Sequence, residues 1–209
     1  MTTPTIRVLC VDDHRLMREG IMRVVDLQSD MTVVAQGSNG EEAVEQFLQH
    51  RPDVTLMDLQ LPTMSGLEAI QTICREREGA RIVVLTMYQG DEDIYRALEA
   101  GAAAYVLKDA LSDDLVCVIR EVHTGKHPIP SDVAASLAAR RAQPSLTPRE
   151  VEVVRLIAEG LRNKEIAFAL GITEQTAKVH VKNILAKLSV NDRTAIIPIA
   201  LRRGIIHIR

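Results

Sequence analysis

Four short apolar runs in the first half of the chain alternate with longer stretches of helical periodicity. The runs are rich in Val, Ile and Leu and cover residues 6–11, 54–57, 82–85 and 103–107. Continuous runs of this length are typical of parallel strands that are buried on both faces. The pattern therefore predicts a doubly wound α/β sheet, a fold that binds ligands in the crevice outside the carboxyl ends of its strands.

A polar residue follows each run. Asp12 and Asp13 follow the first, Asp58 the second, Thr86 the third and Lys108 the fourth. Three carboxylates in one crevice repel each other unless a cation is present, and hard oxygen ligands suit Mg²⁺. We therefore predict a metal-assisted phosphoryl site. Asp58 is the attacking carboxylate, Asp13 holds the ion and Asp12 orients its water. Lys108 and Thr86 contact phosphoryl oxygens.

Each of these residues has a structural alternative when it is taken singly. Asp12 or Asp13 can cap the helix that the periodicity predicts over 14–27. Thr86 and Lys108 can be structural or solvated. Their joint occurrence at the ends of successive buried strands favours the functional interpretation.

The C-terminal segment carries strong helix boundary signals. Thr147, Pro148 and Glu150 form the pattern of a capping box with proline at the first helical position, and Gly160 should end that helix.

A second pair of helices follows it. Residues 163–170 are predicted to be helical, Gly171 turns the chain, and Thr173 caps a longer helix over 174–188. Two helices around a tight turn predict a helix-turn-helix.

The longer helix has two distinct faces. One face is apolar and must pack on the core: Ala177, Val181, Ile184 and Leu188. The opposite face carries Gln175, Val179, Lys182, Asn183 and Ala186, with Lys178 on its flank. Lysines on a helix face are commonly just solvated. Val179 has no packing partner there, and a thymine methyl in the major groove would supply one.

Charge divides the chain unevenly. Residues 1–145 hold 14 Lys and Arg against 22 Asp and Glu, a net charge of −8, whereas residues 146–209 hold 11 against 6, a net charge of +5. A basic C-terminal part suggests a polyanion as its partner.

Breaks in the pattern predict the domain limits. Gly and Pro interrupt regular structure at 125–130 and again at 143–145. We predict one domain over 1–124, a linker over 125–145 with a short helix at 131–141, and a second domain over 146–209.

Three cysteines, Cys10, Cys74 and Cys117, have neither metal nor disulfide spacing. No secretion signal and no apolar run of membrane-spanning length is present. The expected location is the cytoplasm, with no membrane association.

Residues 5 to about 124 resemble the receiver domain of a two-component response regulator. The motifs that match are residues 11–14, 56–66, 85–86 and 101–108. The resemblance implies a flavodoxin-like five-stranded parallel sheet and Mg²⁺ as cofactor. It also implies the site residues: phosphoacceptor Asp58, metal ligands Asp12, Asp13, Asp58 and the backbone carbonyl of Gln60, and phosphoryl-stabilising and switch residues Thr86, Lys108 and Tyr105.

Two tyrosines have open roles. Tyr105 matches the family's inward-turning aromatic, or is an ordinary strand residue. Tyr88 and Gln60 would flank the path of a water that attacks the aspartyl phosphate, so a bulky Tyr88 predicts slow self-hydrolysis. Packing of Tyr88 on the fourth helix is the alternative.

Residues 146 to about 205 resemble the LuxR-type DNA-binding domain, through residues 146–150, 163–167, 178–185, 187–188 and 193–194. The whole chain thus resembles the NarL/FixJ class of response regulators. The resemblance implies base-facing Lys178, Val179 and Lys182, with Thr176, His180, Asn183, Thr173, Lys164 and Arg193 also in the DNA-binding set. Arg162, Ala177 and Ser189 depart from the commoner family residues.

The expected function is phosphorylation-controlled transcription, with no enzymatic activity beyond the receiver's own phosphorylation and dephosphorylation. The expected partners are a sensor histidine kinase, double-stranded DNA and a second copy of the chain, and RNA polymerase is a further candidate. Phosphorylation would either dimerise the chain or free its DNA-binding helix. Two rivals are a haloacid dehalogenase-type phosphatase, disfavoured because Gln60 stands where that enzyme needs an Asp, and a regulator that ignores phosphate.

Overall fold

The computed structural model describes residues 5–86, 91–108, 113–128 and 144–206. The chain forms two compact units, one built around a sheet and one helical. The predicted linker helix at 131–141 and Tyr88 lie outside the described residues.

The first unit alternates strands and helices. In chain order they are β1 Ile6–Val11, α1 Arg15–Asp26, β2 Met31–Gly37, α2 Gly40–His50, β3 Val54–Asp58, α3 Gly66–Glu76, β4 Ile82–Thr86, α4 Asp91–Glu99, β5 Ala104–Leu107 and α5 Asp113–His123. All five strands are parallel and form one sheet in the order β2-β1-β3-β4-β5. The predicted doubly wound sheet is confirmed, and the four apolar runs are β1, β3, β4 and β5 to within one residue at either end.

Strand β2 was not located from the sequence. Its apolar run, residues 33–35, is short, and most residues of the strand are only half-buried. It lies at one edge of the sheet, pairs with β1 alone and is only partly covered, so its sequence is less continuously apolar. Strand β5 is the other edge strand, but its side chains are mostly buried, and its apolar run was recognised together with those of the inner strands β1, β3 and β4.

The strand order creates a crevice beside β1. The chain leaves β1 for β2 on one side and returns to β3 on the other, so β1 and β3 flank the topological switch point. Val11 pairs with Met57, so the residues that follow them, Asp12 and Asp58, emerge at the same level. This register brings two acids together from positions 46 residues apart.

The core of this unit is aliphatic. Residues such as Val8, Leu56, Val83 and Leu115 have no exposed surface. Helix α5 contributes to the same cluster through Leu115 and Ile119. Packing on both faces explains why the inner strands are apolar throughout.

The helical unit comprises α6 Pro148–Ala158, α7 Asn163–Leu170, α8 Glu174–Leu188, a 3-10 turn Arg193–Ala195 and α9 Ile196–Arg202. The predicted capping box is present: Thr147 Oγ1 accepts from the Glu150 backbone N–H at 3.3 Å, and Glu150 Oε2 accepts from the Thr147 backbone N–H at 2.7 Å. Gly171 turns the chain with a φ of 63°. The predicted helix-turn-helix is therefore α7 and α8.

Ser189 ends α8 in the left-handed conformation, with a φ of 56°. This backbone geometry explains why glycine or asparagine is commoner there in the family, because both residues adopt it at lower cost. Ser189 makes the same turn with some strain.

Within the described residues, no helix is long and apolar enough to span a membrane.

Candidate functional site

The crevice beside β1 and β3 contains a buried ion-pair cluster. Lys108 Nζ lies 2.7 Å from Asp12 Oδ2 and 2.7 Å from Asp58 Oδ2. The contact with Asp58 has hydrogen-bond geometry, whereas that with Asp12 is an ion pair whose hydrogen-bond angles are poor. Asp12, Asp58 and Lys108 are all buried, so one ammonium bridges two acids in a nearly dry environment.

The backbone fixes the orientation of Asp58. Its Oδ1 accepts a hydrogen bond from the Gln60 backbone N–H at 3.1 Å. The loop after β3 then folds back closely, and a Cβ on Gly66 would lie only 1.9 Å from the Asp58 carbonyl oxygen. Only glycine fits there, which ties the start of α3 to the position of Asp58.

Burial and charge act in opposite directions on this cluster. Burial raises the pKa of Asp58 above its ordinary value, and the neighbouring Lys108 opposes that effect without cancelling it. Burial by itself lowers the pKa of Lys108, but the Asp12 and Asp58 carboxylates outweigh burial, and the net direction is upward. Lys108 is therefore a permanent cation at neutral pH.

Asp13 lies at the mouth of the crevice. Its Oδ1 is 2.7 Å from His14 Nδ1, and His14 is also 3.6 Å from Asp12 Oδ1. One ligand atom from each of Asp12, Asp13, His14 and Asp58 falls within 4.8 Å of all the others. This donor set, three carboxylates and an imidazole, is compatible with a divalent cation.

The structural alternative for the acid pair is not observed. The N-cap of α1 is His14, and no side chain caps the helix. Asp12 Oδ1 instead accepts the His14 backbone N–H at 2.8 Å, which fixes the turn before the helix.

Thr86 and Tyr105 lie on the neighbouring strands β4 and β5. Thr86 is buried at the last position of β4 and pairs with Leu107, the residue before Lys108. Tyr105 is also buried and pairs with Val84. Both side chains are thus on the strands that carry the site.

Two supports of the site were missed by sequence reasoning. Arg18 donates to the Asp12 carbonyl oxygen at 2.5 Å and to Gln36 Oε1 at 3.1 Å, which ties α1 to the acid-bearing turn. Glu41 Oε2 accepts from Thr63 Oγ1 at 2.5 Å and holds the loop after β3, where Thr63 has a left-handed φ of 59°. No local signal marks either pair, because each joins different elements.

The second unit presents α8 with the two predicted faces. The four apolar residues Ala177, Val181, Ile184 and Leu188 are buried. The opposite face is exposed: Gln175, Lys178, Val179, Lys182, Asn183 and Ala186. Val179 is 47% exposed; within the described part of this unit, the other exposed large apolar side chain is Phe168 on α7, at 91%.

The remaining residues of the predicted DNA-binding set differ in how exposed they are and in whether they are hydrogen-bonded within the unit. Thr173 caps α8, its Oγ1 lying 2.8 Å from Thr176 Oγ1, and both are exposed. Lys164 is exposed near the start of α7, and His180 is half-buried. Arg193 is not free: it donates to Asn163 Oδ1 at 2.8 Å and to the Leu161 carbonyl oxygen at 2.7 Å. Its guanidinium therefore holds the 3-10 turn against the start of α7.

Each unit of the chain matches a known protein family. Residues 8–120 match the response regulator receiver domain, and residues 144–200 match the bacterial regulatory proteins of the luxR family. The chain belongs to the DNA-binding response regulators of two-component systems, of the NarL/FixJ class, and is a transcription regulator. The family membership inferred from the motifs is confirmed.

Several relatives share nearly the full length of the chain. The transcriptional regulatory protein LiaR of Bacillus subtilis (strain 168) is 40% identical over 210 residues, with 97% of this chain and 100% of LiaR covered. The response regulator ChrA of a heme-sensing two-component system has a TM-score of 0.57 at 34% identity, covering 97% of this chain and 99% of ChrA. A structure of two RcsB dimers bound to two parallel DNAs has a TM-score of 0.66 at 26% identity, covering 95% of this chain and 98% of RcsB.

Proposed function

We propose that Asp58 accepts a phosphoryl group from a sensor histidine kinase and that this modification controls DNA binding by α8. The observation that carries the proposal is the Lys108 bridge: one buried ammonium 2.7 Å from both Asp58 and Asp12. A dry, preorganised cation beside a carboxylate nucleophile is the arrangement that phosphoryl transfer needs, because the reaction depends on positioning and charge stabilisation.

The residues present fit a Mg²⁺ ion. Asp12, Asp13 and Asp58 supply carboxylate oxygens within a small volume, and the Gln60 backbone carbonyl is the fourth protein ligand we propose. When bound, Mg²⁺ would neutralise phosphoryl oxygens and offset the repulsion between the carboxylates.

The transfer itself is a displacement at phosphorus. A carboxylate oxygen of Asp58 attacks, the P–N bond to the phosphohistidine of the kinase breaks, and the imidazole leaves with the bonding electron pair. The new phosphoryl group carries more negative charge than the carboxylate had. Lys108 then pairs with a phosphoryl oxygen, and the Thr86 hydroxyl donates to another. Movement of Thr86 then shifts the side chain of Tyr105, which is already buried on β5.

The exposed face of α8 is the proposed reading surface. Lys178, Val179 and Lys182 face the bases, and Val179, which is exposed and lies outside the apolar core of its unit, would pack on a thymine methyl. Thr173, Thr176, His180, Asn183 and Lys164 complete the contact set. Arg193 acts by supporting α7, since its guanidinium is bonded within the unit.

Phosphorylation is proposed to dimerise the chain or to free α8. A dimer doubles the phosphate contacts of a single small domain and matches two half-sites on the duplex. The RcsB structure, which has dimers on DNA, supports this form of output. RNA polymerase is a further proposed partner.

Labelling with acetyl phosphate tests the chemical step. Mg²⁺-dependent labelling of the intact chain should be lost in Asp58→Asn, and labelling that persists at another residue would contradict the assignment.

Sedimentation velocity with and without beryllofluoride, a phosphoryl mimic, then tests whether phosphorylation causes dimerisation. A mimic-dependent dimer that requires Asp58 supports dimerisation, whereas DNA binding that is insensitive to both the mimic and Asp58→Asn would show a regulator that ignores phosphate.

A further inference from the structure

His14 is the one member of the metal-compatible cluster with no assigned role. It follows the acid pair directly, and its side chain is 74% exposed at the mouth of the crevice. Its backbone is nevertheless fixed, because its N–H donates to Asp12 Oδ1 and it serves as the N-cap of α1. The Cα position from which the imidazole extends is therefore fixed at the rim of the site.

The two oxygens of Asp12 face different partners. Oδ2 lies against Lys108 Nζ, whereas Oδ1 lies 3.6 Å from His14 Nδ1. Asp13 Oδ1 is 2.7 Å from the same nitrogen. Carboxylate oxygens and one imidazole nitrogen thus meet on the side of Asp12 that Lys108 does not occupy.

The separations suit coordination of one ion. The donor atoms of Asp12, Asp13, His14 and Asp58 lie within 4.8 Å of one another. Metal–ligand bonds of about 2.0–2.2 Å place opposite donors about 4 Å apart, so only a small adjustment is needed. Asp12 is fully buried, which keeps one of the oxygens in a constant position.

A nitrogen donor changes which ion the site prefers. Mg²⁺ takes oxygen ligands and retains its waters, so it gains little from an imidazole. First-row transition ions bind imidazole well, and their affinities rise along the series from Mn²⁺ towards Cu²⁺. If His14 coordinates the ion, the site therefore gains affinity for a transition ion and gains little for Mg²⁺.

We propose that His14 is a specificity-determining ligand that, through Nδ1, raises the affinity of this crevice for a divalent first-row transition ion relative to its affinity for Mg²⁺. The inference rests on the proposed metal site and deepens it. The competing role is that His14 only donates a hydrogen bond to Asp13 and orients it. Such an orienting bond would support Mg²⁺ and transition ions alike, so selectivity separates the two roles.

Isothermal titration of the metal-free full chain with MgCl₂ and with CoCl₂ provides the test. His14→Ala should weaken Co²⁺ binding by about tenfold or more, since even loss of an outer-sphere partner costs 10–100-fold. It should leave Mg²⁺ affinity unchanged. The visible absorption of bound Co²⁺ should also shift in His14→Ala, because a nitrogen ligand is lost.

Two control variants make the outcome specific. His127→Ala removes an exposed imidazole outside the cluster and should change neither titration. Asp13→Ala should weaken both ions. Equal weakening of Co²⁺ and Mg²⁺ by His14→Ala, or no change in either, would overturn the proposal. Mg²⁺ binding that survives Asp13→Ala unchanged would instead contradict the proposed metal site itself, so the two failures are distinguishable.

Discussion

Replacing Lys108 with methionine removes the ammonium that touches both buried carboxylates. Asp12 Oδ2 and Asp58 Oδ2 each lie 2.7 Å from Nζ, so they are at most twice that distance, 5.4 Å, apart. Two like charges at about 5 Å repel by about 3 kcal/mol at an effective dielectric constant of about 20. Removal of one partner from a buried ion pair costs about 3–5 kcal/mol. We expect the free energy of unfolding of the first unit to fall by that amount in Mg²⁺-free buffer near neutral pH.

The loss should depend on pH in a defined direction. Burial already raises the pKa of Asp58, and removal of Lys108 removes the main opposing effect. A carboxyl group whose pKa is raised in the folded state binds its proton more tightly there than in the unfolded chain. Stability therefore falls as pH rises through the pKa window, and the deficit of Lys108→Met should be smaller at about pH 5 than at about pH 8.

Tyrosine fluorescence during urea unfolding of the full chain is a suitable assay. The chain has no tryptophan, and its three tyrosines, at positions 88, 95 and 105, all precede the helical unit. The signal therefore reports the sheet-containing unit alone. Lys126→Met is the matched control. Lys126 is exposed, and its 3.5 Å ion pair with Glu121 contributes little to stability. A Lys108→Met variant as stable as the parent chain in Mg²⁺-free buffer at about pH 8 would refute the reasoning.

Three further predictions concern the helical unit. Glu150 is buried against Lys187 at 2.7 Å, and although burial raises the pKa of Glu150, its hydrogen bonds to Lys187 and Thr147 lower it overall. The resulting stability is present above the ordinary glutamate pKa and is lost as pH falls through the lowered value. Glu150→Gln should therefore cost about 1.5–3 kcal/mol at neutral pH and much less in acid, by far-UV circular dichroism. An equal cost at both pH values would contradict this. Ser189→Gly should raise the melting temperature of the unit, because it relieves about 1 kcal/mol of left-handed strain; an unchanged or lower midpoint would show that no strain is present. Lys182→Ala should relax the base preference on a specific operator fragment, because Lys182 is proposed to face the bases, and should leave the slope of log binding constant against log salt nearly unchanged; a slope smaller by about 1 with unchanged base preference would instead assign Lys182 to a phosphate. No change in either quantity would remove Lys182 from the interface.

The local features of this protein were readable from its sequence. Each inner strand is a continuous apolar run because both of its faces are buried, and the starts of α6 and α8 are marked by the capping residues Thr147 and Thr173. Helix α9 begins without a side-chain cap and was not predicted. The position of Val179 on the exposed side of α8 also followed from periodicity alone. The acids at 12, 13 and 58 were recognised because a strand end in a parallel sheet is a local landmark.

Tertiary structure decided how those landmarks meet. The level at which Asp12 and Asp58 emerge depends on the pairing of β1 with β3, and the partner of each oxygen depends on where Lys108 reaches from β5. The edge strand β2 and the inward bonds of Arg193 escaped prediction for the same reason. Periodicity and capping act over a few residues of chain, whereas strand order, register and ion pairing join residues tens of positions apart, and only the folded chain fixes those distances.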